Sequence, residues 1–339
     1  MDDADRTGWR SYHLFYHGDR DRLLLDLVRP LVSSLLAGGH VDRFFYVRFS
    51  LGGPHVRLRL RPLPGGAATM ASEVAAATAA FFARQPSQAS LDEAVIRRRN
   101  RLILARSPLE NDEAVYPDNS LREVPFHPET DRYGGPRLFE HSLDFFVLSS
   151  VAALEFLEVH GDEPWPRRLP HVVRLLVRQA WGLARGGEEL LRLLQAPIHS
   201  WGDSMAPAVA RADQVFGRIG QDLIALLAAE VESLSPPAAA APEVETARRL
   251  AWEIREAPED VRWRIASSQL HMTANRLGIQ GAEEVYLARL LWRSIEGLVE
   301  GVPDSWTGLR SSLAQSAEIP PHGRLRDLLA PALAKCSTR

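Results

Sequence analysis

Arg264, Ser268, His271 and Asn275 recur at intervals of four, three and four residues, which sets them in one stripe along a helix. A neighbouring stripe, Trp263, Ala266, Leu270, Ala274 and Leu277, is apolar, and Gly278 suits a C-terminal cap. A polar stripe flanked by tryptophan and leucine can line a cleft. Histidine changes charge near neutral pH, so His271 is a candidate for moving a proton at working pH. A lone histidine on a helix also serves as an ordinary hydrogen-bonded structural group. The following helix offers Glu283, Glu284 and Tyr286 toward it, with Tyr286 a candidate second acid.

Two other segments carry polar groups in a pattern. His55-Val56-Arg57-Leu58-Arg59-Leu60-Arg61 alternates strictly, and in a strand successive side chains face opposite ways. His55 and the three arginines therefore share one face. A preceding strand supplies Phe44, Tyr46 and Arg48 on one side and Phe45, Val47 and Phe49 on the other. Arginine forks bind carboxylates and peptide carbonyls and stack on aromatic rings. Alternation alone also fits a solvated outer face whose charges resist edge-to-edge pairing. In Glu129-Thr130-Asp131-Arg132-Tyr133-Gly134-Gly135, Glu129 and Arg132 can form an ion pair or point into one site, and the glycines permit positive φ. Capping of the next helix is the bland alternative.

The elements that must position these groups follow from hydrophobic periodicity. Strands are predicted over residues 11–17, 41–50 and 55–61, the last two joined as a hairpin through Leu51-Gly52-Gly53-Pro54. Helices are predicted over 21–36 and 67–84, a further strand over 93–104, and another strand running up to Pro128. Beyond Gly134-Gly135 helical spacing covers 138–160, 171–195, 206–234, 244–254, 258–277 and 282–299, with Ser235–Pro242 (SPPAAAAP) as a loop. The expected fold is α+β: an antiparallel sheet with helices on one face, then a helical half. It is read as a single enzyme domain with a sheet-rich subregion, 1–135, and a helical subregion, 136–339, sharing one cleft.

Composition narrows the function. The 339 residues are 45% hydrophobic and 24% charged, an ordinary globular profile. A net charge of −3 gives no general attraction for nucleic acid. One cysteine, Cys336, permits neither an internal disulfide nor a cysteine-based metal site. The acidic start Met1–Asp5 is unlike a secretory signal, and no apolar run approaches a membrane span, so a cytoplasmic protein is expected. There is no G-x-x-x-x-G-K-[ST], no strand-borne G-x-G-x-x-G, no H-E-x-x-H and no G-x-S-x-G. His13 and His17, four apart on a predicted strand, are at best a weak metal hint. No cofactor and no metal are expected.

Taken in order, an aromatic strand at Trp9–Tyr16, FFYVRFSLGGPHVRLRLR at 44–61, HPETDRYGG at 127–135 and SSQLHMTANRLG at 267–278 resemble the thiopeptide-type bacteriocin biosynthesis domain. The same domain forms the C-terminal elimination domain of class I lantibiotic dehydratases. The resemblance spans nearly the whole chain and implies a cofactor-free enzyme of ribosomal peptide modification. It also implies the roles of Arg57 or Arg59, Glu129, Arg132 and His271, which fall on the family's motif positions for removing glutamate from glutamylated Ser or Thr. The large glutamylation domain of a full dehydratase is absent from this chain. Free-standing members are either glutamate-eliminating lyases or pyridine synthases, which join two dehydroalanines in a formal [4+2] cycloaddition and expel water and the leader peptide. The long helical stretch between RYGG and HMTANRLG favours the pyridine synthase; a non-catalytic leader-binding protein is the third alternative. Catalytic candidates are His271, Tyr286, Glu129 and Arg132. Substrate-binding candidates are Arg48, Arg57, Arg59 and Tyr46 of the hairpin and Arg264, Ser268, Gln269 and Asn275 of the helix. The expected partners are the precursor peptide, with its leader and azole-rich core, and a second copy of the chain in a homodimer.

Overall fold

The computed structural model describes residues 8–105, 114–234, 241–301, 307, 313, 317–318, 320–321 and 323–337. The acidic N-terminus and residues 235–240 of the predicted loop lie outside them. The chain divides into two compact units, one of residues 1–128, 149–161 and 330–339, the other of 129–148 and 162–329.

The first unit is built on strands β1 (Arg10–Phe15), β2 (Val41–Phe49), β3 (His55–Pro62) and β4 (Ser120–Val124), in the order β2-β3-β1-β4 with every pair antiparallel. The α+β expectation holds, and the hairpin is where periodicity placed it. Gly52 and Gly53 both take positive φ, +81° and +126°. That conformation is open to glycine and costly to other residues. The Gly52 N–H donates to Asn100 Oδ1 at 2.9 Å, and the Gly52 carbonyl accepts from the Tyr116 N–H at 2.8 Å. A Cβ on Gly53 would stand 2.7 Å from His17 Nε2. Gly53→Ala is therefore expected to cost about 2 kcal/mol or more, read as a lower urea midpoint; an unchanged midpoint would show that the turn relaxes freely.

Helix α1 (Arg20–Leu23) runs through a π turn (Leu24–Val28) into α2 (Arg29–Ala37). Pro30 stands near the start of α2, where it cannot donate back along the helix, a cause of the widened turn before it. Leu23, Leu24, Leu27, Val28, Val32 and Leu35 of this segment are buried, as are Met70, Val74 and Phe81 of α3 (Ala67–Arg84).

Residues 93–104 correct the expected strand: they form helix α4 (Glu93–Leu104). Asp92 caps it by accepting from the Ala94 N–H at 2.8 Å, and Glu93 pairs with Arg97 one turn on. The segment buries Ile96 and Asn100, four apart, a helical period that the arginine run masks. Helix α5 (Pro136–His160) follows in the chain, its last turns belonging to the first unit.

The second unit is helical: α6 (Trp165–Leu183), α7 (Gly187–Trp201), α8 (Ala206–Leu234), α9 (Pro242–Glu253), α10 (Glu259–Arg276) and α11 (Ala282–Gly301). The single helix expected over 171–195 is two, because Ala184 turns extended (ψ 144°) and Gly186-Gly187 restarts the chain. The C-terminal helix α12 (Leu329–Ser337) returns to the first unit, where the Cys336 carbonyl accepts from Ser33 Oγ at 2.6 Å. Among the described residues no helix is long and apolar enough to cross a membrane.

Candidate active site

Helix α10 is buried on most of its circumference: Ile265, Ala266, Ser268, Gln269, Leu270, Thr273, Ala274, Asn275 and Arg276 all lie inside. Beyond its accessible first turn, Glu259–Trp263, the residues that remain accessible are Arg264, Ser267, His271 and Met272, with the first three in one stripe. Ser268 and Asn275, expected on the accessible stripe, are buried at its margin. Gln269, an expected substrate contact, is fully buried on the inner side and faces no solvent.

The Glu129–Gly135 segment docks on this stripe. Thr130–Tyr133 form a 3-10 turn, and Gly134 and Gly135 leave it with φ of +77° and +93°. Tyr133 is thereby turned inward against Phe139 and Phe146, where burial pushes its hydroxyl pKa up to about 12. Arg132 stays outside. Its Nε–H donates to Ser268 Oγ at 3.1 Å, and its fork meets Glu129 at 3.3 Å. Arg264 Nε–H donates to the Arg132 carbonyl at 3.1 Å. Residues 132 and 268, far apart in sequence, thus form one polar cluster, one helical turn before His271.

His271 has a partner that sequence reasoning placed nearby without a role. Its Nδ1 lies 2.8 and 2.9 Å from the two oxygens of Glu284, whose side chain is 5% exposed. A carboxylate only accepts, so Nδ1 carries the hydrogen, and in the neutral ring Nε2 holds the lone pair. The imidazole is 35% exposed, open enough to meet a substrate. The available signal was the short connection 277–281 between α10 and α11: in a helical hairpin, a residue before the end of the first helix faces one just after the start of the second.

Tyr286 is not part of this arrangement. Two residues beyond Glu284 it stands about 200° around the helix, packed against the Ala212–Leu223–Leu290 cluster, with Arg211 5.6 Å from its ring. Burial raises its pKa. As the second acid expected beside His271, it is on the wrong face of α11. Arg276, unnoticed in the motif, is fully buried with its guanidinium 5.1 Å from the Phe146 ring.

The arginine face belongs to the first unit. Cross-strand register aligns Arg57 with His13 and Val47, Arg59 with Ser11 and Phe45, and His55 with Phe15 and Phe49. Arg57 lies 3.8 Å over Phe49, and Arg59, 9% exposed, sits between Phe126 at 5.1 Å and Phe45 at 5.6 Å. Tyr46 and Arg48 correct their expected place. Both lie on the opposite face, opposite Leu58 and Val56, where Tyr46 is fully buried and Arg48 is paired with Asp21 at 2.6 Å. Parity groups residues 46 and 48 with 44, and the cross-strand register sets that group opposite Val56, Leu58 and Leu60.

His55 is buried with both ring nitrogens committed. Nδ1 is 2.8 Å from the Gly53 carbonyl, so it holds the hydrogen, and Nε2 accepts from Arg57 Nε–H at 3.2 Å. A second proton would confront that guanidinium. Burial first, then the neighbouring arginines, hold His55 well below the ordinary histidine range, and His13, stacked on it at 4.9 Å, is lowered by burial and by His55.

A four-stranded antiparallel sheet bearing an arginine–aromatic face, followed in the chain by a helical unit that carries a carboxylate-held histidine and an Arg–Ser–Glu cluster, is a lantibiotic-dehydratase-like α+β fold. The chain belongs to the lantibiotic biosynthesis dehydratase C-terminal family, whose sequence profile matches residues 9–295. A comparison with curated proteins finds no match. Among solved structures, it is similar to the pyridine synthase TbtD from thiomuracin biosynthesis, with a TM-score of 0.66, 18% identity, and coverage of 87% of this chain and 99% of that one. It is also similar to the tRNA-dependent lantibiotic dehydratase MibB from Microbispora sp. 107891, with a TM-score of 0.56 and 19% identity. There the match covers 87% of this chain and 28% of the dehydratase. A third similar structure, TsrL, gives a TM-score of 0.53 at 17% identity over 90% of this chain and 98% of its own. At these identities the likeness is one of fold.

Proposed function

We propose that the chain is a cofactor-independent pyridine synthase. It would join two dehydroalanines of a leader-bearing precursor peptide and expel water and the leader. The observation that carries the reading is His271 held by buried Glu284, one helical turn beyond Ser268, on which the guanidinium of Arg132 rests. The match to a pyridine synthase over nearly the full length of both chains supports it.

The chemistry needs placement and one mobile proton. His271 Nε2 takes the amide proton of one dehydroalanine and returns it to the preceding carbonyl oxygen, making the imidic-acid tautomer that serves as the diene. Glu284 stabilises the imidazolium between the two transfers. Arg132 and Arg264 supply donors to peptide carbonyls, and Glu129 holds the Arg132 fork. Bringing the two alkenes into contact contributes most of the acceleration, since effective molarities reach roughly 10⁵ M or more. Water then leaves from the former carbonyl carbon, and the leader departs as an amide that needs a proton on its nitrogen.

The test uses purified protein with a leader-bearing peptide containing two dehydroalanines, followed by mass spectrometry. The expected products are a ring-closed peptide that has lost water and leader, and the free leader. An unchanged substrate mass, together with conversion of a glutamylated serine peptide to dehydroalanine, would replace this reading with glutamate elimination, the chemistry the family motif positions imply.

A further inference from the structure

Arg276 lies on the inner side of α10, about 140° around the helix from His271, and is fully buried. A guanidinium keeps its charge when buried, and an apolar side chain would occupy the same place without the cost of stripping it of water. The charge is therefore a poor device for stability alone. The guanidinium carbon stands 5.1 Å from the Phe146 ring. Phe146 and Phe139, two turns apart on α5, share one face, and the Tyr133 ring closes on them at centroid distances of 5.3 and 5.7 Å. Burial lifts the Tyr133 hydroxyl, while the charges of Arg132 and Arg276 both pull against it, so the phenol lies within the field of the two guanidiniums. The turn that bears Tyr133 is also pressed on α10: a Cβ on Gly134 would stand 2.7 Å from Val261 Cγ1. One buried cluster thus joins α10, α5 and the Thr130–Tyr133 turn, and that turn carries Arg132 to Ser268.

We propose that Arg276 is a positioning residue: from the buried side of α10 it holds the Tyr133 turn, through Phe146, at the spacing that lets Arg132 and His271 meet one substrate. The inference rests on the reading of His271 as the proton-transfer group, and Arg276 itself touches no substrate. A cation over the Phe146 face favours one placement of that ring. The ring in turn fixes Tyr133 by an edge-to-face contact, with the two planes at 83°. Arg132, the next residue, is half-exposed, so its place depends on the anchored neighbour. A displacement of about 1 Å, even one that starts far from the chemistry, can slow a reaction about 10²-fold.

The experiment compares the full chain with Arg276→Met, Arg276→Lys and Phe146→Leu. It reads turnover of a leader-bearing bis-dehydroalanine peptide and amide hydrogen exchange by mass spectrometry. Arg276→Met should lower kcat about 10–100-fold and leave KM within about twofold. Exchange should quicken at residues 129–135 and keep its wild-type rate in α8. Arg276→Lys, which retains a cation for the Phe146 face, should recover turnover to within about threefold of wild type. Phe146→Leu cuts the same link from α5 and should reproduce the Arg276→Met pattern, which keeps the test open should Arg276→Met fail to fold. Wild-type kcat in Arg276→Met, or a loss of kcat with unchanged exchange at 129–135, overturns the proposal. So does faster exchange throughout the second unit in both Arg276 variants, the mark of a merely structural role. If the wild-type chain does not cyclise the peptide, the synthase reading fails, and exchange at 129–135 alone decides whether Arg276 holds the turn.

Discussion

His271→Gln is expected to lower the rate of cyclisation by about 10²–10⁴-fold, the usual worth of a positioned acid–base group, while the melting temperature stays within a few degrees of wild type. Glutamine can still donate an amide hydrogen to Glu284, so the buried carboxylate keeps a partner, but glutamine cannot exchange a proton at neutral pH. The side chain's partial exposure leaves little packing to lose. Glu284→Gln should act in the same direction and more weakly. It keeps a contact to Nδ1 and removes the charge that stabilises the imidazolium, so kcat should fall while KM stays near its wild-type value. Ring nitrogen chemical shifts provide a reading that a purely structural role would not move: the Nδ1–H tautomer of His271 should dominate in wild type and lose its dominance in Glu284→Leu. Wild-type turnover in His271→Gln would remove the proton-transfer role and with it the mechanism.

The second large effect is on stability against pH. His55 and His13 have folded-state pKa values below the ordinary value of about 6.5 because they are buried beside arginines. With a depressed folded pKa, both states are neutral above about pH 6.5 and stability is complete there. As pH falls, the unfolded chain binds protons that the native state refuses, so stability declines between the unfolded and folded values. Each histidine contributes a slope of about 1.4 kcal/mol per pH unit once the unfolded form is protonated. Between pH 6 and pH 5 the pair should cost roughly 2–3 kcal/mol. Urea unfolding followed by tryptophan fluorescence at pH 7, 6 and 5 measures it. His13→Phe, which keeps a ring against His55, should reduce the slope by about half. A flat stability profile from pH 7 to 5 would mean that these histidines accept protons in place.

The physical origin of both effects was unequally visible in the amino-acid order. The alternation of residues 55–61 announced a strand and its polar face, and the 52–53 glycines announced the turn, because both depend only on local backbone geometry. What the alternation could not say is that Arg59 would be sandwiched by Phe126 and Phe45, or that Tyr46 and Arg48 would face the core. In α4, consecutive arginines hid a helical period that the cap at Asp92 and the burial of Ile96 and Asn100 reveal. The Asp92 cap and the Glu93–Arg97 spacing were local signs of a helix that the arginine run, by itself compatible with either element, obscured.

By itself, the sequence determined the α+β class, the hairpin, the helical second half and the helix that carries His271, since periodicities of two and 3.6 residues are properties of contiguous chain. Tertiary structure alone decided that Glu284, not Tyr286, stands against His271, that Arg132 rests on Ser268, and that Gln269 is enclosed. Those outcomes depend on which helix face is covered by which neighbour. A polar side chain takes the partner that packing leaves within about 3 Å, whatever its distance along the chain.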